Sequence, residues 1–206
     1  MSNTPESVRE KRAKRTLTLV QLGLLTAIVI VLQLLGSFIR FGPFSVSLVL
    51  VPIVLGAVVH GPLAGGWLGL VFALTVLFSG DAALFMTYNP AGAVITVLIK
   101  GIAAGVAAGF VYQLCKRINK YVGVLAAAVI CPVANTGLFL LGSMIFFYDA
   151  MPNIAEVIGV PFPGNPLVFV ITVLIGFNFI FELIFNIVLA PAIVRVSDLI
   201  VSRFRK

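Results

Sequence analysis

Residues 167–190 read LVFVITVLIGFNFIFELIFNIVLA, a run apolar enough to span a membrane that nevertheless carries Asn178, Glu182 and Asn186 four residues apart. On a helix that spacing sets all three on one stripe, each about 6 Å further along the axis. Lipid offers no hydrogen-bond partner to a carboxylate or an amide, so the stripe must face other helices or a wet cavity. Two roles fit it: interhelical bonding with no ligand, or one wall of a binding site. A carboxylate costs more to bury than an amide, which weighs toward the second role for the three taken together.

The composition agrees with a membrane setting. A chain of 206 residues that is 61% hydrophobic and only 10% charged cannot hide its apolar surface in one soluble core, so an all-α integral membrane protein is expected. The net charge of +7 does not point to nucleic acid. Its basic residues sit in flanks between apolar runs and not along a face interleaved with aromatics, so the charge reads as topology. Cys115 and Cys131 are isolated, lack metal-ligand spacing and receive no role. The polar head SNTPESVREKRAKR does not read as a cleavable signal, and the apolar run behind it is too long for one.

From the first residue onward the chain predicts a six-transmembrane-helix bundle in a single membrane domain, 1–206. The head, 1–15, holds Arg9, Lys11, Arg12, Lys14 and Arg15, which places the N-terminus in the cytoplasm by the positive-inside rule. Spans are expected at about 16–39, 45–59, 63–79, 92–114, 122–147 and 167–190. Arg40-Phe41-Gly42-Pro43 marks the first outer turn, Ser45 and Ser47 open a short second span, and His60-Gly61-Pro62 marks an inner turn. Gly80–Ala91 is expected as an outer loop, and 149–166 as a longer one acting as a lid, in which Asn153–Gly159 can form a helical turn. Gly101, Gly105 and Gly109 form a small-residue ladder that admits a close neighbour, and Pro132 predicts a kink in the fifth span. All Lys and Arg except Arg40 and Lys100 then fall in inner flanks, so both termini are expected to be cytoplasmic. No internal repeat is evident.

Catalytic constellations are missing: the sequence has no HExxH, no GxSxG, no Walker motif and a single histidine. No catalytic residue, metal ligand or cofactor is assigned, and an enzyme is not expected. What remains is a set of polar groups directed at the outer half of the bundle. Lys100, Asn135, Asn178, Glu182 and Asn186 from the spans, with Tyr88 and Asn89 from the outer loop, outline a small-molecule pocket. Lys100 is open to two readings, a buried ion pair with Glu182 or an ammonium that receives a ligand's carboxylate or phosphate.

These features resemble the substrate-binding S component of energy-coupling factor (ECF) vitamin transporters. Gly23-Leu24-Leu25-Thr26-Ala27 is similar to the family's Ala-x-x-x-Ala motif with Gly in the first position. Phe44-Ser45-Val46-Ser47-Leu48, Val51-Pro52-Ile53-Val54-Leu55-Gly56-Ala57 and Gly61-Pro62-Leu63-Ala64-Gly65 resemble the second and third spans of the pantothenate-type members. The resemblance implies a multi-pass protein of a prokaryotic cell membrane that binds a small water-soluble vitamin from outside. It further implies docking on a transmembrane coupling protein driven by two ATPase subunits, with Gly23, Ala27, Gly65 and Gly69 as the flat docking surface. Pantothenate is the first expectation for the cargo, with riboflavin, pyridoxine or folate as alternatives and a small membrane enzyme or channel as the rival class. Riboflavin-type members carry an acidic segment where this chain has Ser-Val-Ser.

Overall fold

The computed structural model describes residues 5–38, 40–41, 44–45 and 48–204. The expected turn at Gly42-Pro43, Val46 and Ser47 ahead of the second span, and the terminal Arg205 and Lys206 lie outside the described residues. Among the described residues the regular structure is helical apart from a two-residue antiparallel ladder, in which β1 (Arg40–Phe41) pairs with β2 (Phe44–Ser45).

Helix α1, Pro5–Phe38, absorbs the basic head and the first span into one continuous rod. Helix α2, Leu50–His60, is shorter than the expected second span because Phe44–Ser45 is spent on the ladder. At about 16 Å it falls well short of a hydrocarbon core of about 30 Å. It is apolar all round, and helices α1, α3, α5, α6 and α9 surround it, so Leu50, Ile53, Val54 and Ala57 have no exposed surface. A helix with that pattern belongs in the middle of the bundle.

Helix α3, Pro62–Ser79, ends at Gly80, whose φ of 85° provides the left-handed cap that a side chain would disfavour. The segment expected as an outer loop instead contains helix α4, Ala83–Tyr88, pinned by burial of Phe85 against Phe139 and Phe147. Asn89 then caps helix α5, Pro90–Cys115: its side chain accepts from Gly92 N at 2.9 Å, and Pro90 sits where no N–H is needed. Helix α6, Lys120–Phe146, runs through Pro132. Helix α7, Met151–Ile158, realises the helical turn predicted within the lid and turns Met151, Ile154 and Ala155 inward.

The final span starts as α8, Pro166–Phe169, widens into a π-helical turn at Val170–Ile175, and continues as α9, Gly176–Phe204, well past the expected end at residue 190. Among the described residues five helical stretches are long and apolar enough to cross a membrane: Arg12–Ser37, Pro62–Ser79, Pro90–Cys115, Lys120–Phe146 and Asn178–Ile200. Leu50–His60 and Pro166–Ile175 are apolar but shorter.

A close main-chain seam joins α3 to α5. A Cβ built on Gly65 would run into the Gly105 carbonyl, one on Gly69 into Gly101, and one on Gly109 into the Pro62 backbone. The ladder predicted on α5 therefore does admit a close neighbour, and that neighbour is α3. At one end of the bundle an exposed Lys120–Asp198 ion pair ties the start of α6 to α9. At the other, α4, α7 and α8 close over a second apolar cluster that includes Phe85, Phe147, Met151, Ile154 and Phe169.

Candidate functional site

Beneath that second cluster lies a cavity of about 130 Å³. By the 10–15 Å³ that one water requires, it has room for on the order of ten water-sized groups. Its walls come from α1, α3, the α3–α4 turn, α4, α5, α6 and the π-turn and start of α9, with Phe85, Phe139 and Phe147 among its aromatic lining.

Of the residues singled out in the sequence, Lys100, Asn135, Asn178 and Glu182 line this cavity. Helical periodicity explains why they converge. Asn178 and Glu182 are one turn apart on α9, and on α6 Asn135 shares its face with Phe139. Glu182 is 3% exposed, and its Oε1 accepts from Asn178 Nδ2 at 3.3 Å. The stripe continues below the cavity, where Asn186 Nδ2 donates to the Glu182 main-chain carbonyl at 2.8 Å. Asn186 therefore buttresses the wall without lining the cavity.

Lys100 Nζ lies 5.3 Å from the Phe139 ring centroid and 5.7 Å from that of Phe72. Two aromatic faces thus hold the ammonium. No direct ion pair joins it to Glu182 or Asp81 among the described residues. That geometry leaves the lysine's donors directed by rings, which accept weakly, in a cavity with two carboxylates on its walls.

Tyr88 and Asn89 do not line the cavity. Asn89 is occupied by the α5 cap and by donating to the Phe146 carbonyl at 3.4 Å. Conversely, Gln33, Asp81 and Thr96 line the cavity and were not among the sequence candidates. Asp81 Oδ2 accepts from Gln33 Nε2 at 2.7 Å and from Ser37 Oγ at 2.6 Å, which fastens the α3–α4 turn to α1. Gln33 had a usable signal, an amide inside an apolar span. Asp81 falls in the Gly80–Ala91 stretch that the sequence predicts as an outer loop.

The four small residues expected to form a docking surface separate into two pairs. Gly23 and Ala27 are exposed on α1, and nothing lies within 4 Å of a Cβ placed on Gly23. Beside them the indole N–H of Trp67 donates to Thr26 Oγ1 at 3.1 Å. Gly65 and Gly69, in contrast, are buried against α5 and do not lie on the exposed α1 face. Their small size serves the α3–α5 seam.

The family description "ECF transporter, substrate-specific component" matches residues 17–194, all of the bundle apart from the basic head and the end of the last helix. The chain belongs to this family. No curated protein and no solved structure matches it. Membership makes this ECF substrate-specific component a transporter subunit, and with its apolar helices a multi-pass membrane protein. The family implies a small-molecule cargo and a coupling module with ATPases as partners.

Proposed function

We propose that this substrate-specific component binds pantothenate from outside a prokaryotic cell membrane and docks on a transmembrane coupling protein driven by two ATPases. The reading rests on one observation: Lys100, Asn135, Asn178 and Glu182, from three different helices, line a common cavity with an aromatic cover. An ammonium suits the vitamin's carboxylate, while amides and carboxylates suit its hydroxyls and amide N–H. Six passes with both ends in the cytoplasm fit the charge distribution, with α2 counted as a short pass enclosed by its neighbours.

The class is tested by reconstitution. In proteoliposomes the chain alone should bind vitamin but accumulate none when ATP is supplied, and accumulation should appear only with coupling protein and ATPases. ATP-dependent uptake by the chain alone would defeat the assignment.

Docking is assigned to the α1 face around Gly23 and Ala27. A bulky side chain there holds a partner helix away while leaving the distant cavity intact. Ala27→Trp is therefore expected to abolish coupled uptake with vitamin affinity unchanged. Equal loss of both would assign the face to the fold instead.

A further inference from the structure

Two buried polar atoms at the seam between α5 and α6 have no hydrogen-bond partner among the described residues. Thr96 is 5% exposed and Asn135 6%, both line the cavity, and Thr96 Oγ1 and Asn135 Oδ1 lack hydrogen bonds among the described residues. A threonine inside a helix commonly returns its hydroxyl to the carbonyl four residues back. Thr75 and Thr172 do so, at 2.8 and 2.7 Å. Thr96 does not. It fits because the facing residue is Gly142, where any Cβ would collide with the Thr96 side chain.

A buried polar atom without a partner costs roughly 1–3 kcal/mol, so a pair of them on one cavity wall calls for a physical reason. Packing gives none, since valine matches threonine in shape and carries no hydroxyl to satisfy. Lys100 stands one turn from Thr96 on the same face of α5. Across the cavity are the Asp81 and Glu182 carboxylates. An amide oxygen and ionised carboxylates only accept hydrogen bonds. Among the described lining residues Lys100 is the one basic side chain, and Asn135 Oδ1 is an acceptor without a donor.

We infer that Thr96 and Asn135 form a second anchor in the cavity, and that its ligand is neutral or singly anionic and carries hydroxyl or amino donors. In this arrangement a ligand hydroxyl or N–H donates to Asn135 Oδ1, and Thr96 Oγ1 completes the same polar end. An anionic end, where present, meets Lys100. A dianion would bring more negative charge than Lys100 can balance, and a donor-poor acid would leave Asn135 unmatched. The inference deepens the proposed function and rests on that reading of the cavity.

The experiment measures dissociation constants of the purified full chain for pantothenate, pyridoxine, riboflavin, nicotinate, lipoate and folate. It then repeats the tightest pairing with Thr96→Val, Thr96→Ser and Asn135→Leu. The tightest ligand should be one of the first three. Thr96→Val should keep the wild-type melting temperature and weaken binding roughly tenfold, the loss of about one hydrogen bond, while Thr96→Ser keeps most of the affinity. Preference for nicotinate, lipoate or folate overturns the inference and leaves the vitamin-binding reading standing. So does unchanged affinity in folded Thr96→Val or Asn135→Leu, or equal loss in Thr96→Ser, which would make the effect one of shape. Binding of none of the six overturns the reading and the inference together.

Discussion

Gly69→Leu is expected to remove most of the folded protein from the membrane. Along the α3–α5 seam the obstacle to a side chain is the neighbouring main chain: Gly69 abuts Gly101, and Gly65 abuts Gly105. A flexible side chain can swing aside, but a helical carbonyl cannot without breaking its own hydrogen bond. The helices would have to separate, losing contacts along their whole shared length. Overpacking a core commonly costs about 1–3 kcal/mol, and a backbone obstacle puts this case at or above the top of that range. Gly137 supplies the control, because nothing lies within 4 Å of a Cβ there. Gly137→Ala should hold or raise the melting temperature, since alanine is favoured over glycine in a helix by roughly 0.5–1 kcal/mol. Monodisperse yield and thermal unfolding in detergent measure both. A Gly69→Leu protein that melts like wild type would mean that the seam can open freely.

Lys100→Met should weaken binding of an anionic vitamin by at least about 2 kcal/mol, roughly 30-fold. Methionine keeps an unbranched stem between Phe72 and Phe139, so the loss reports the ammonium and not the packing. Without it, a ligand carboxylate would enter a cavity already holding Asp81 and Glu182, with no opposite charge among the described lining residues. Titration calorimetry on folded variant and wild type gives the comparison. Unchanged affinity would show that the lysine is structural and that the cargo carries no negative charge there.

Much of the site was legible because lipid makes polar residues conspicuous. Asn178 and Glu182 share a stripe, and Lys100 and Asn135 interrupt apolar runs, so each needed an interior destination. Asp81 escaped because a carboxylate just beyond a span reads first as topology, and only the fold shows it reaching Gln33 and the cavity wall. The small-residue pattern foretold close helix approach but not its direction. Gly65 and Gly69 face inward to α5, whereas Gly23 faces out, and the spacing is four in both helices. The helix α4 was hidden by turn-forming flanks, since what organises ALFMTY is burial of Phe85 against residues more than fifty positions away. The wide turn at Val170–Ile175 has no local signature, because VITVLI suits an ordinary helix equally well.

That wide turn sets the rotational phase of everything after it. A π-turn takes in one more residue than an α-turn, and one residue corresponds to about 100° around a helix axis. With Gly176 at φ 15° and ψ −114°, outside the helical range, the wide turn takes the rod that follows out of the phase of an unbroken helix entering at Asn165. Asn178 and Glu182 look into the cavity at this setting. In a relative with the same letters from 176 onward but one residue fewer between 170 and 175, an uninterrupted helix would turn the same carboxylate toward a different neighbour. Comparing such chains by residue type alone would equate sites that point in different directions, so the length of this short segment is itself part of what specifies the binding wall.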